Sequence, residues 1–227
     1  MLNYAVEPAL LNRYVPPGTV LDSFEGRTYL SLVGFRFCHT KLLGHFALPF
    51  HTDFDEVNLR FYVRRKNSSG DRGVVFISEV VPRRAIALAA RIVYGENYTS
   101  HPMRHSIQAS ELGTTAQYQC EYQWKIGSQW CKLAAQTVGD PSRPGEGSLE
   151  QFITEHYWGY SIRHSGGCLE YQVSHLPWQV WATAQARFEG EASTLYGSDL
   201  GSVLQLEPAS AFVADGSPVI VYRGDRI

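Results

Sequence analysis

The residues best suited to chemistry stand together in Glu56-Val57-Asn58-Leu59-Arg60-Phe61-Tyr62-Val63. Read at a period of two, this stretch carries Glu56, Asn58, Arg60 and Tyr62 on one face and Val57, Leu59, Phe61 and Val63 on the other, which is the pattern of a strand. Glu56 and Arg60 lie roughly 13 Å apart along such a strand, at about 3.3 Å per residue, too far to pair directly. A ligand could bridge them, with Arg60 forking onto a carboxylate and Glu56 acting as hydrogen-bond acceptor or general base. The alternative is a solvated strand face laced with cross-strand ion pairs.

Other candidates are scattered. His175-Leu176-Pro177-Trp178 sets an imidazole and an indole around a proline break, so His175 is a candidate for proton transfer and Trp178 for a cavity rim. A plain strand-ending turn with a packed Trp is the competing reading. Arg91 closes an alanine-rich helical face, a place where a buried arginine would need a carboxylate partner, and Tyr98 follows shortly after. The predicted site is therefore Glu56 and His175 as catalytic groups, with Asn58, Arg60, Tyr62, Arg91, Tyr98 and Trp178 around a ligand. No metal site is expected, because Pro102 obstructs a helix across His101 and His105 and no third ligand is evident. Gly145-Glu146-Gly147 lacks the rest of a dinucleotide fingerprint, and G-x-S-x-G, Walker and kinase motifs are missing, so no cofactor is expected.

The elements that must position these residues are mostly strands. Ala9 to Tyr14 reads as a short helix ended by Pro16-Pro17-Gly18. Strands are predicted over Arg27–Cys38, Asp55–Arg65 and Gly73–Val81, with Asn67-Ser68-Ser69-Gly70 as a hairpin-type loop. The best helix is Arg83–Tyr94, closed by Gly95. After a loop through Tyr98 and Pro102, Thr115–Trp124 and Gln129–Thr137 form a hairpin, and Ser148 caps a helix running to about Tyr157. Two strands, Gly167–His175 and Gln179–Phe188, precede a poorly patterned tail with one last strand over Pro218–Arg223. This is an α+β chain, mainly antiparallel β, folding as a single domain over residues 1–227. A closed or nearly closed barrel with a few helices outside or across one mouth is expected, with a β-sandwich as the alternative.

Composition narrows the function classes. The 227 residues are 44% hydrophobic, 13% aromatic and 19% charged, with 20 basic and 22 acidic side chains, which describes a compact globular chain. The net charge of -2 offers no footprint for nucleic acid or an anionic membrane. The first residues lack the basic region and apolar run of a signal peptide, so a cytoplasmic location is expected, with no membrane partner. Cys38, Cys120, Cys131 and Cys168 show no C-x-x-C spacing and read as reduced, packed thiols. The expected partner is a small, carboxylate-bearing molecule, and the sequence carries no sign of an oligomeric state.

Several segments in order resemble an uncharacterised bacterial family, the YqjF-like proteins, whose members are similar in fold to acetoacetate decarboxylase. They are Pro16-Pro17-Gly18, Asp22-Ser23-Phe24-Glu25-Gly26, the Glu56–Val63 strand, Gly73–Ser78, Ala90-Arg91, Ser148–Glu155 and His175–Trp178. The resemblance implies a decarboxylase-like barrel with the Glu56 carboxylate inside its cavity. It implies no settled activity. In the decarboxylase a lysine, lowered in pKa by a second lysine and an apolar site, forms a Schiff base. That pair should follow the Arg83–Tyr94 helix, yet the segment Gly95 to Arg104 holds no lysine, and the chain's lysines are Lys41, Lys66, Lys125 and Lys132.

A function without Schiff-base chemistry is therefore predicted. Borohydride treatment in the presence of acetoacetate should leave the protein mass unchanged, and an adduct on any lysine would overturn this.

Overall fold

The computed structural model describes residues 1–38, 53–66, 71–112, 115–163 and 166–227. Its strands are β1 (Leu2–Val6), β2 (Thr19–Leu21), β3 (Thr28–Phe37), β4 (Phe54–Arg65), β5 (Arg72–Val81), β6 (Tyr98–Ser100), β7 (Met103–Leu112), β8 (Thr115–Ile126), β9 (Gln129–Ser142), β10 (Trp158–Ile162), β11 (Cys168–Ser174), β12 (Val180–Glu189), β13 (Ser210–Ala214), β14 (Ile220–Val221) and β15 (Asp225–Arg226). The helices are α1 (Pro8–Leu11), α2 (Arg84–Tyr94), α3 (Leu149–Thr154) and α4 (Ser193–Leu204). No described helix is long and apolar enough to cross a membrane.

The strands form one mainly antiparallel sheet in the order β14-β11-β10-β5-β4-β3-β1-β13-β12-β9-β8-β7, with β10 and β6 both parallel to β5. The expected closed or nearly closed barrel holds in part. Among the described residues the hydrogen-bonded ladder does not rejoin itself, and its β7 end meets β4 through side chains instead: His105 Nδ1 lies 2.9 Å from Asp55 Oδ2. The curled sheet folds β8 and β9 over β3 and β4, and at Gly34 a Cβ would stand 2.9 Å from the Tyr122 ring. Glycine is required by that close approach.

β4 sits in the middle of this arrangement and is buried on both sides. Val57, Leu59, Phe61 and Val63 are fully buried and pack with Leu30, Leu32, Val75, Val80, Trp124 and Tyr160 in the main core. Its other face is covered by α3, β12 and β13, where Tyr62 packs with Tyr29, Val74, Phe152, Val180 and Phe212. α3 starts as the sequence predicts: Ser148 Oγ accepts from the Gln151 backbone N–H at 3.2 Å, and Gln151 Oε1 accepts from the Gly147 N–H at 2.8 Å. It stops at Thr154 rather than near Tyr157, because Trp158 already pairs with Gly73 in β10.

Other expectations also shift. The stretch through Tyr98 and Pro102 is not a loop but β6 and the start of β7, so His101 and His105 stand outside any helix. The poorly patterned tail contains α4, kinked at Gly197, and β13. The last predicted strand shrinks to Ile220–Val221. Residues Asn67 to Gly70 lie outside the described residues. All four cysteines are free thiols, but Cys38 is exposed rather than packed.

One contact ties the fold to the polar interior. A Cβ on Gly159 would meet the Tyr171 ring at 2.1 Å, so Gly159 makes room for a tyrosine whose hydroxyl reaches Glu96. Gly159→Ala should destabilise the protein by about 1–3 kcal/mol or more, lowering Tm in a thermal melt. An unchanged Tm would show that Tyr171 has room to move.

Candidate functional site

The polar face of β4 is turned inward. Glu56 and Asn58 are each 1% exposed, as is Tyr62, so the solvated alternative does not hold for these residues. Asn58 Nδ2 donates to Glu56 Oε1 at 3.2 Å, and the Tyr98 hydroxyl of β6 donates to Glu56 Oε2 at 3.1 Å. Three of the predicted site residues are thus in direct contact.

Two carboxyls that sequence reasoning missed join them. Glu79 of β5 stands opposite Asn58 and beside Tyr98 in the pairing register, and its side chain interacts with the Tyr98 hydroxyl. It reaches this face because of a bulge. Leu59 pairs with Ser78 whereas Arg60 pairs with Phe76, so Ile77 is the extra residue and the alternation of β5 flips across it. Glu96 follows α2, is 5% exposed, and accepts from the Tyr171 hydroxyl at 2.8 Å. A recess of about 40 Å³, lined in part by Phe76, Glu96, Asn97 and Ser161, borders it.

Electrostatics follow from burial. Among the described residues no lysine, arginine or histidine forms an ion pair with Glu56, Glu79 or Glu96. Desolvation therefore dominates. It pushes Glu56 up to about 7 against the opposing hydrogen bonds from Asn58 and Tyr98, and Glu96 up to about 8 against that from Tyr171. Glu79 is raised well above the usual carboxylate range by burial and by the neighbouring Glu96 and Glu56 charges. A neutral Glu79 carboxyl can donate to the Tyr98 oxygen while Tyr98 donates to Glu56, giving a short proton-bearing chain.

Arg60 lies further along the same face. Its Nη2 donates to the Ile153 carbonyl at 3.2 Å, its guanidinium carbon stands 5.8 Å from the Tyr62 ring centroid, and its Nε is buried with no partner among the described residues. The Tyr62 hydroxyl is 2.7 Å from Ser31 Oγ, which donates to Asn3 Oδ1 at 2.7 Å. His156, also missed in the sequence, is 7% exposed and stacks on Tyr62 with centroids 4.7 Å apart. Burial, with the Arg72 and Arg60 charges, holds it well below the ordinary histidine value, so its imidazole is neutral.

Three predicted residues sit apart from this group. Arg91 is exposed and its Nε donates to the Tyr98 backbone carbonyl at 2.6 Å, so it anchors β6 from outside rather than meeting a buried carboxylate. His175 stacks on Trp178 at 4.6 Å and lies 5.0 Å from Tyr157, with its Nδ1 2.9 Å from the Leu176 carbonyl. Trp178 Nε1 donates to Ser217 Oγ at 2.9 Å. No described contact joins His175 or Trp178 to Glu56. Of the lysines, Lys132 pairs with Glu189 at 2.8 Å, Lys66 is exposed, and Lys41 lies outside the described residues.

An open, curled antiparallel sheet with these few helices defines an acetoacetate decarboxylase-like fold. Its solved neighbours include the enduracididine biosynthesis enzyme MppR complexed with pyruvate, 12% identical over 99% of this chain and 86% of that one at a TM-score of 0.68. They also include acetoacetate decarboxylase from Legionella pneumophila, 14% identical over 100% and 82% of the two chains at a TM-score of 0.66. At such identities the likeness is one of fold. Residues 1–218 match the family described as an uncharacterised conserved protein, domain of unknown function 2071, and the chain belongs to it. A relative in Bacillus subtilis (strain 168), the uncharacterized protein YqjF, is 23% identical over 176 residues, or 78% of this chain and 69% of that protein.

The buried carboxyls fix the sign of a pH effect. An acid whose folded pKa is raised above its unfolded value near 4.5 costs no stability below that value and progressively more as pH rises towards the folded value. Wild type should therefore lose stability between pH 5 and pH 8, on the order of 3 kcal/mol from Glu56 alone and more from the cluster as a whole. Glu96→Gln, which can still accept from Tyr171, should flatten part of that slope in urea unfolding. A parallel pH dependence in wild type and variant would remove Glu96 from the cause.

Proposed function

We propose that the protein binds a small anionic organic molecule, one bearing a carboxylate, on the buried polar face of β4. The observation that carries this reading is the partly buried Arg60 guanidinium, which donates to the Ile153 carbonyl and whose buried Nε has no partner among the described residues. Buried donors are ordinarily paired, and a guanidinium pairs best with a carboxylate held in its fork. The fold neighbour complexed with pyruvate supports the size and class of ligand. Asn58, Tyr62 and Tyr98 would orient the ligand, and Glu56 would contact its other end.

A second reading, a lyase or hydrolase working without a Schiff base, is favoured by Glu56 itself. A carboxyl raised to about 7 can exchange a proton at neutral pH, and Tyr98 and Glu79 give that proton a path. Arg60 would hold the substrate carboxylate. Of the two groups that could assist, Tyr62 lies beside Arg60, whereas His175 has no described contact with this group.

Calorimetric titration of a small carboxylate library tests the binding reading. Arg60→Ala should weaken carboxylate binding roughly ten- to a hundredfold, the value of one charge-assisted contact. Equal affinities for wild type and Arg60→Ala would remove Arg60 from the site.

A further inference from the structure

Among the described residues, the unpartnered polar atoms on the buried face differ between its two ends. Towards Glu56 they are acceptors, Asn58 Oδ1 and Glu79 Oε2, on residues 1% and 2% exposed. Towards Tyr62 stands the donor, Arg60 Nε, with the His156 ring nitrogens also unpartnered among the described residues. The acceptor end gathers three carboxyls with no ion-paired cation among the described residues, and the donor end is set among Arg60 and Arg72, whose charges both act on His156. Both ends lie on one continuous sheet surface, since Asn58 and Arg60 are two residues apart on β4, or about 7 Å at the usual rise.

We propose that this face recognises a dipolar ligand: a carboxylate held at Arg60 and, four or so carbons away, a protonated amine or amidine held at the Glu56, Glu79 and Glu96 carboxyls beside Asn58 Oδ1. The inference rests on the carboxylate reading above and adds a cationic pole to it. A monofunctional acid would satisfy Arg60 but leave Asn58 Oδ1 and Glu79 Oε2 orphaned, at a cost typical of buried unpaired acceptors. An ammonium group supplies three donors and a guanidinium five, enough for both atoms and for Glu56. Its charge would also draw the neighbouring carboxyls into their ionised form. The free cluster holds protons near neutral pH because the hydrogen bonds from Asn58, Tyr98 and Tyr171 and the more distant Arg60 charge only partly offset desolvation, and a cation placed among the carboxyls reverses that balance. The groups facing this pole are Glu56, Asn58, Glu79, Glu96, Tyr98 and Tyr171, so the protons leave from carboxyls rather than from a histidine.

The test uses 5-aminopentanoate, pentanoate and pentylamine as probes, titrated calorimetrically at pH 7.5 in two buffers of different ionisation enthalpy. The expected result is that 5-aminopentanoate binds at least tenfold more tightly than pentanoate and releases more protons on binding than pentanoate does. Glu79→Gln should lower the affinity for 5-aminopentanoate more than that for pentanoate. If pentanoate binds as tightly as 5-aminopentanoate to wild type, the dipolar ligand is overturned while the carboxylate site survives. If neither acid binds but pentylamine does, the carboxylate reading fails and the acceptor pole alone stands, which also overturns the dipolar proposal. Binding by none of the three overturns both. The wild-type comparison decides the matter even if Glu79→Gln does not fold.

Discussion

The constraint on which this structure turns is the burial of Glu56, Glu79 and Glu96 without a described counter-cation. An isolated carboxylate is too costly to keep ionised in an apolar interior, so such groups either pair, shift their pKa or recruit hydrogen bonds. Here the shift is the main response, tempered by Asn58, Tyr98 and Tyr171, each of which donates to one of the carboxyls. The tyrosines come from β6 and β11, and the carboxyls from β4, β5 and the turn after α2. The cluster therefore exists only when strands distant in sequence have assembled.

That dependence explains several local features. β4 is buried on both faces, so one alternation set fills the main core while the other must be satisfied by its neighbours. The β5 bulge at Ile77 lets Val75 and Val80 stay in the core while Glu79 turns to the polar face. Without the extra residue, Glu79 would fall on the core side, where nothing could accept its charge. Gly159 is small for the same reason: Tyr171 must cross it to reach Glu96. Arg91, although exposed, holds the Tyr98 carbonyl and so helps to fix β6 at the edge of β5.

Much of this was legible in the sequence where a single element carried the signal. The two faces of β4, the Gly95 stop of α2, the capping box of α3 and the β8–β9 hairpin are all set by spacing of a few residues, and they appear where the pattern places them. Asn58 and Tyr98 emerge as contacts of Glu56. What escaped was non-local or broke the period. Glu79 was hidden because a bulge inverts the alternation on which strand reading depends, and Glu96 because it follows a helix end with no pattern of its own. His156 lies between the end of α3 and β10, where a helix continuing to Tyr157 was expected. α4 is interrupted at Gly197, whose φ of 81° breaks the helical periodicity. How far the sheet closes was not legible for a topological reason, since closure depends on whether the β7 edge bonds to β4, and its side-chain meeting through His105 and Asp55 has no short-range signature.

The missing lysine after α2 and the carboxyl cluster bear on each other. A Schiff base needs an amine that is neutral at working pH, which is achieved by an apolar site or by a neighbouring cation. A lysine placed beside Glu56, Glu79 and Glu96 would meet the opposite field: ionised carboxylates would raise its pKa and hold it as an ammonium, unable to attack a carbonyl. On the readings proposed above, the interior around Glu56 would disfavour an amine nucleophile and would serve two other tasks, holding a cation and exchanging a proton near neutrality. Both follow from the same desolvated carboxyls, and they compete, because a bound cation that ionises the cluster also removes the protons a general acid would use. A ligand that occupies the acceptor end is therefore bound rather than protonated there, and any proton chemistry would fall to a ligand that leaves that end neutral.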